Sequence, residues 1–510
     1  MATYPASTVS NLLARRRTGD AAIGAPGRPW LTHDSLRALV QRTISDLNAM
    51  GIGREDRVAI VLPNGPEMAA SFVAIASGAT TAPLNPGYKY DEFDFYLSDL
   101  NAKALVIQRG MESPSRAVAA ERNIPVIELA PDQTGPAGSF HLQPERPLTG
   151  AAQQGGSAQA EDVALVLHTS GTTSRPKIVP LRHINITASA YHIGEALALT
   201  PSDVCLNIMP LFHIHGLMAA TLASLAAGGS VCCTPGFHAF RFFAWFEEVT
   251  PTWYTAVPTM HQAILQLAGR HPDSIKNSRL RLIRSSSSSL PPQVMEAMER
   301  TFGVPVIESY GMTEASHQMA SNPLPPRPRF PGSVGLAAGP EISIMNEEGD
   351  LLPPGSVGEV VIRGRNVTAG YENNPEANAK AFIKGWFRTG DQGVLDEEGY
   401  LRLTGRLKEL INRGGEKISP IEVDTVLMDH PAVAQCLTFA MPHPMLGEEI
   451  GAAIVLREGA SAREQELRDF AAQHLAAFKV PRKIVFLKEI PKGATGKLQR
   501  IGLAEKLGLT

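Results

Sequence analysis

Residues 56–86, DRVAIVLPNGPEMAASFVAIASGATTAPLNP, carry the first decision about the fold. The apolar run VAIVL stops at Pro63-Asn64-Gly65 and reads as a short strand. The stretch PEMAASFVAIASG that follows has a helical pattern, and the chain after it is extended again. Strand, helix and strand in so short a span form a βαβ unit, the building block of an α/β body.

The same alternation recurs downstream. Strands are expected at 163–168 (VALVLH), 204–209 (VCLNIM), 253–257 (WYTAV) and 280–283 (LRLI), with a helix over 291–302. Past Gly358 the strands become shorter and more polar (GEVVIRG, GYLRLTG), as in a small β-subdomain. From Leu407 the order is a strand, a helix over 421–428, strands near 433–440 and 450–456, a helix from Ala462 and a strand near 484–487. That tail has the size of an independent α+β domain. The expected fold class is thus α/β, with a large N-terminal domain of two α/β sheets plus a small β-subdomain, followed by a small α+β domain. The segment 323–331 is Pro-rich and reads as a rigid surface loop, and no fixed-period repeat is present.

Composition narrows the function. Forty-seven basic residues against fifty acidic ones give a net charge of -3, which leaves no electrostatic footprint for nucleic acid or an anionic membrane. Any phosphate must be held locally. The uncharged run 216–233 is broken by Gly228-Gly229 and reads as a buried helix running into a strand, not a membrane span. The four cysteines, Cys205, Cys232, Cys233 and Cys436, lack zinc-site spacing and disulfide-scaffold density, favouring a reducing compartment. The N-terminal arginines precede no apolar stretch of signal-peptide length, and Gly508-Leu509-Thr510 is not a Ser-Lys-Leu address, so the expected location is the cytoplasm. Oligomeric state is not legible.

Four stretches carry chemistry. After the strand ending at His168 comes Thr169-Ser170-Gly171-Thr172-Thr173-Ser174-Arg175-Pro176-Lys177. Small residues let backbone amides form an anion-binding concavity, hydroxyls add donors and Lys177 adds charge. A plain Ser/Thr-rich turn would have the same composition, and the glycine spacing rules out a Walker loop. Second is Tyr310-Gly311-Met312-Thr313-Glu314, expected on a loop just past a strand, with Glu308 and Ser309 immediately before it. Its carboxylate can hold Mg²⁺, its threonine can bond a phosphoryl oxygen and its ring can stack on a purine. Third is Trp386-Phe387-Arg388-Thr389-Gly390-Asp391 with Gly405-Arg406-Leu407-Lys408, where Asp391 and Arg406 can flank a ribose or be an ordinary turn acid and surface cation. Fourth is Pro491-Lys492-Gly493-Ala494-Thr495-Gly496-Lys497, by itself only a glycine-framed exposed loop.

In this order and at these separations, the four resemble the superfamily of acyl-CoA synthetases, firefly luciferases and nonribosomal-peptide adenylation domains. The resemblance spans nearly the whole chain. It implies that Thr169, Ser170, Gly171, Thr172, Thr173 and Lys177 bind the β- and γ-phosphates of ATP. It implies that Glu308, Ser309, Tyr310, Gly311, Thr313, Ser288, Asp391 and Arg406 meet the rest of the nucleotide, with Mg²⁺ on Glu314. Lys497 is implied as the cation that bridges the attacking carboxylate and the α-phosphate, a place where positioned charge is especially effective. Thr313, Glu314 and His213 complete the implied catalytic set.

The resemblance further implies an N-terminal domain over 1–404, a hinge at 405–408 turning about Lys408, and a mobile C-terminal domain over 409–510. After adenylation that domain swings Lys497 out and brings Gly414-Gly415-Glu416-Lys417 in to line a tunnel for coenzyme A. Glycines suit a close backbone approach, although Gly414-Gly415 also suits a simple turn. Two departures stand out: Ile178 where most relatives have glycine, and a serine run at 285–289 where many carry Gly-Gly-Ala-Pro. With His213, Ser288, Ser289 and His317 on the acyl side, the pocket is expected to be polar and the acid small. The wording HTSGTTSRPK, RSSSSSLPP and YGMTEASHQMASNPLPP is similar to the oxalate-CoA ligase branch of plants and fungi, which makes oxalate the expected acid. The alternatives are a medium-chain or aromatic acid, an adenylating enzyme loading a carrier protein, and a non-catalytic acyl-adenylate binder. The first rival from another class would need a carrier partner, and no carrier domain is seen. The binder should have lost a ligand, whereas Lys177, Glu314, Asp391 and Lys497 are all present.

Some relatives are silenced by acetylation of the lysine matching Lys497, which implies a protein lysine acetyltransferase as a partner. Lys497→Ala is expected to cripple acyl-adenylate formation while sparing thioester formation from a preformed adenylate. Single-turnover assays of the two half-reactions check this, and equal loss in both would contradict domain alternation.

Overall fold

A computed structural model describes residues 6–14, 19–148, 150–169, 176–492 and 498–509. Two large sheets organise the N-terminal body. The first has seven strands in the order Phe140–Pro144, Val126–Pro131, Ala104–Gln108, Arg57–Val61, Thr80–Pro83, Val163–His168 and Ile178–Arg182. Its inner strands are parallel and its two outer pairs antiparallel. The expected βαβ unit is present as Arg57–Val61, Pro66–Ala76 and Thr80–Pro83.

The second sheet has nine strands, with Val306–Met312, Leu282–Ser286, Trp253–Ala256, Val204–Asn207 and Ser230–Cys233 side by side and parallel. The strand Ala21–Gly24, the first of this sheet in sequence, pairs with Ser230–Cys233.

Strand alternation explains the layering. In the first sheet Val58 and Ile60 point into one apolar cluster while Ala59 and Val61 point into another with Phe93, Leu97 and Val118. In the second sheet Leu282 and Ile307 join the cluster of Val58 and Ile60, while Ile283 and Val306 pack outward on Phe242, Phe246 and Met298. One helical layer therefore sits between the two sheets. Its helix Pro66–Ala76 is buried at every residue but Glu67, as required of a helix apolar all round. His183–Ala196 and the segment 215–227 share that layer. The expected buried helix and strand over 216–233 are found, except that His215–Leu222 is a π-helix. Such segments are rare and frequent at functional sites.

A third, five-stranded sheet holds Glu341–Met345, Val357–Arg363, Phe382–Ile383, Trp386–Leu395 and Leu401–Arg406, matching the expected β-subdomain. The last sheet holds Ile411–Arg413, Glu416–Ile418, Val433–His443, Gly447–Leu456 and Lys483–Phe486, with helices Pro420–Met428 and Glu464–His474 on it around a separate apolar core. The order matches the sequence reading, except that the single strand expected before the helix is a hairpin of two, Ile411–Arg413 and Glu416–Ile418. All four cysteines are buried and unbridged. No helix among the described residues is long and apolar enough to cross a membrane.

Two strands differ from expectation in a way that moves the site. The strand expected at 280–283 runs over Leu282–Ser286, and Tyr310, Gly311 and Met312 lie inside Val306–Met312 instead of on a loop beyond it. The serines have weak strand preference, but Ser285 and Ser286 pair with Glu308 and Ser309, and that ladder overrides local propensity.

Burial also sets a pH limit on stability. The Val9 amide donates to His183 Nδ1 at 3.2 Å, so the proton of the neutral ring sits on Nε2. Burial holds His183, His192 and His261 well below 6.5, each at about 4. Between those values the unfolded chain takes up protons that the folded chain refuses, so stability falls as pH drops from about 6.5 to about 4 and then levels off. His183→Asn, which retains an acceptor, is expected to reduce the decline in urea stability over that window by up to roughly 3 kcal/mol.

Candidate active site

The phosphate-loop candidate is closed at its base by a reciprocal clasp: Thr169 N–H donates to the Lys177 carbonyl at 2.9 Å, and Lys177 N–H to Thr169 Oγ1 at 3.1 Å. Ser170, Gly171, Thr172 and Thr173 lie outside the described residues, as does Lys497. Ile178 is a buried strand residue packed in the outer core with Val166 and Ala82, which accounts for a branched apolar side chain there.

Lys177 Nζ lies 4.3 Å from the centre of the Tyr371 ring, and Tyr371 Oη donates to Glu314 Oε1 at 2.8 Å. Glu314 is buried on a short turn, Thr313–Ala315, whose backbone is tied down by Thr368 N–H at 2.7 Å. Burial raises its carboxyl above the ordinary range, opposed by a backbone amide, by Tyr371, and by the charges of Arg406 and Lys177. Thr313 is half-buried beside it.

Across the site Asp391 is also buried and gathers two partners. Tyr310 Oη donates to one oxygen, and Arg406 Nε lies 3.2 Å from the other. Asp391 and Arg406 are direct cross-strand neighbours, so strand register makes the pair. The carboxylate in turn holds the Arg406 guanidinium above its ordinary value. Nucleotide candidates from three separate stretches, Lys177, Glu314 with Tyr310, and Asp391 with Arg406, thus converge.

The acyl-side candidates divide. His213 is half-buried, and its Nδ1 accepts the His215 amide at 3.3 Å. His317 is buried. Ser288 and Ser289 are exposed on the loop after the strand, and the serine facing the histidines is Ser287. His215 is central: Nδ1 is 3.0 Å from Ser287 Oγ, Nε2 is 2.6 Å from Thr255 Oγ1, and its ring meets the His317 ring edge-on at 4.9 Å. Beneath it Arg284, fully buried, reaches His215, Thr255 and Gln318.

Ser287, Ser316 and His317 all have positive φ, at 76°, 50° and 98°. Non-glycine residues in that region are strained, and such strain clusters at functional sites. Asn366 helps hold the 315–318 segment, donating from Nδ2 to the carbonyls of Ala315 and Gln318 at 2.8 and 3.0 Å. Gly311 is obligatory here, since an added Cβ would sit 1.9 Å from the His317 carbonyl oxygen.

His215, Arg284, Ser287, Asn366 and Tyr371 escaped the sequence reading. PLFHIHG offered two histidines, and only the π-helix shows that the second faces inward. Arg284 was hidden by a strand placed too early.

Glu308 and Ser309 are buried strand residues. Glu308 Oε1 accepts the Leu290 amide at 2.8 Å, and Ser309 gives its carbonyl to Ser286 Oγ at 2.9 Å. Gly414 and Gly415, at φ 61° and 98°, form the tip of the hairpin between Ile411–Arg413 and Glu416–Ile418. Glu416 is exposed, as is Lys417, whose Nζ lies 3.6 Å from Glu347. Lys408 is exposed between the last two sheets.

A profile described as "AMP-binding enzyme" matches residues 13–372, and one described as "AMP-binding enzyme C-terminal domain" matches 422–497. This chain belongs to the AMP-binding enzyme family. Among its relatives is an oxalate–CoA ligase of Arabidopsis thaliana, 44% identical over 97% of both chains. An oxalate–CoA ligase of Saccharomyces cerevisiae is 44% identical over 89% of this AMP-binding enzyme and 87% of the yeast protein. ATP-bound MatB from Rhodopseudomonas palustris shares the fold with a TM-score of 0.87 and 29% identity over 98% of each chain.

Burial raises the Glu308 carboxyl to about 8, so it stays protonated at neutral pH. The folded state keeps a proton that the unfolded chain loses, so this group's contribution to stability declines as pH rises from about 4.5 to about 8. Glu308→Gln retains the acceptor for Leu290 and is expected to fold normally at pH 5 and to exceed the parent chain in urea midpoint at pH 8.

Proposed function

We propose that this chain is an ATP-dependent ligase that joins a small polar carboxylic acid to coenzyme A through an acyl-adenylate, and that the acid is oxalate. The observation that carries the reading is 44% identity to plant and yeast oxalate–CoA ligases, over 97% and 89% of this chain. The polar cluster of His215, Ser287 and His317 supports an acid with a second polar group over a long aliphatic or aromatic one.

In the first half-reaction a carboxylate oxygen attacks the α-phosphorus and pyrophosphate leaves. A carboxylate is a weak nucleophile, so positioning and charge supply the acceleration. Lys177 belongs with the outer phosphates, Asp391 and Arg406 with the ribose, Tyr310 with the base, and Thr313 with the α-phosphate. Ser170, Gly171, Thr172 and Thr173 add phosphate donors, and Lys497 stabilises the charge that builds at phosphorus. In the second half-reaction the coenzyme A sulfur attacks the acyl carbon and AMP leaves. Rotation about Lys408 exchanges Lys497 for the hairpin Gly414-Gly415-Glu416-Lys417 between the two steps.

Glu314 is the residue that would hold Mg²⁺. Among the described residues no cluster of three or more His, Cys, Asp or Glu could cage a metal. One buried carboxylate fits an ion carried mainly by phosphate oxygens and water, which when bound neutralises phosphate charge. The reading includes a cytoplasmic location and control by acetylation of Lys497.

Acid-dependent release of AMP and pyrophosphate, measured with oxalate, acetate, octanoate and benzoate with and without coenzyme A, tests the reading. Oxalate is expected far ahead, with thioester only when coenzyme A is present. Octanoate or benzoate ahead would overturn the choice of acid, and no AMP with any acid would favour a non-catalytic binder.

A further inference from the structure

Arg284 is an anomaly in the core of the second sheet. Its strand alternates, so Arg284 falls on the same inner face as Leu282 and Ser286, directly beside Thr255 of the neighbouring strand. It is 0% exposed. Every polar contact it makes is to a neutral oxygen or an imidazole, and all are long. Nη1 is 3.4 Å from Thr255 Oγ1 and 3.5 Å from His215 Nε2, and Nη2 is 3.3 Å from Gln318 Oε1. Its Nε is buried with no partner. Among the described residues no carboxylate pairs with it.

A buried cation is normally matched by an anion, because removing charge from water is expensive and an apolar side chain of similar size would pack without that penalty. Burial pushes this guanidinium down to about 9, which still leaves it charged at neutral pH. The nearby Cys205 thiol is pushed well above its ordinary value and stays neutral, so it offers no balancing charge. The described residues thus supply no balancing anion. Arg284 touches His215, which in turn meets Ser287 and His317, so its charge lies immediately behind the cluster that the ligase reading places on the acyl side.

We infer that Arg284 is the specificity-determining residue of this pocket, supplying the positive charge that balances the carboxylate the substrate does not activate. This rests on the ligase reading above. It also explains rejection: a monocarboxylic acid that delivers its only carboxylate to the α-phosphate leaves Arg284 buried and unmatched, so preference arises from both the matched and the mismatched case.

The test is steady-state AMP release from the full chain with oxalate and with acetate, for the parent, Arg284→Met and Arg284→Lys, with thermal unfolding measured alongside. Arg284→Met is expected to lose about a hundredfold or more in kcat/KM for oxalate while acetate is unchanged or improved. Arg284→Lys, which keeps charge without the planar fork, should retain part of the preference. If the methionine variant does not fold, Arg284→Gln removes the charge while keeping hydrogen-bonding capacity and decides the same comparison. Equal losses for both acids, tracking a loss of thermal stability, would overturn the inference and leave Arg284 a structural residue. A parent chain active on oxalate whose charge-free variants keep the oxalate-to-acetate ratio would overturn it alone. A parent chain inert to oxalate but active on monocarboxylic acids would overturn the substrate reading and this inference with it.

Discussion

The pairing of Leu282–Ser286 with Val306–Met312 is the contact from which the rest of the site is built. It places Ser285 and Ser286 opposite Glu308 and Ser309, and so fixes where each strand must end. From one end the chain turns through Ser287 toward His215, and from the other it runs through Tyr310 to Glu314. A slip of one residue would reverse every side chain, sending Arg284 to the outer face. Strained backbone at Ser287, Ser316 and His317 persists because this ladder and the Asn366 amide hold it.

Much of the fold was legible because periodicity is a strong signal. VALVLH reads as a strand at Val163–His168 and is one, and PEMAASFVAIASG contains the helix Pro66–Ala76, buried at all but Glu67. The order of elements after Leu407 also follows from pattern alone. The misreadings share a cause: at 284–286 and 310–312 polar residues and glycine sit inside strands, held there by neighbours distant in sequence. Local propensity contains no information about such partners. The nucleotide candidates were named through the family resemblance that four individually modest stretches carry together, while Tyr371 and Asn366 act by supporting others and look like ordinary loop residues.

Three buried acids sit in three different environments. Glu308 meets one backbone amide in an otherwise desolvated niche and stays neutral. Burial raises Glu314 as well, opposed there by a backbone amide, a tyrosine and two cations. Asp391 sits against Arg406 and a tyrosine hydroxyl. Among the described residues the cations also sit differently: Lys177 and Arg406 lie beside Glu314 and Asp391, and Arg284 lies beneath His215.

The strand Ala21–Gly24 carries a consequence for biosynthesis. It is made well before its parallel partner Ser230–Cys233, and the Val9 amide likewise precedes the imidazole of His183. This segment therefore cannot take its place in the sheet until some two hundred further residues have been made. Until then the apolar Ala22 and Ile23 lack their native cover, an exposure that favours chaperone protection of the segment.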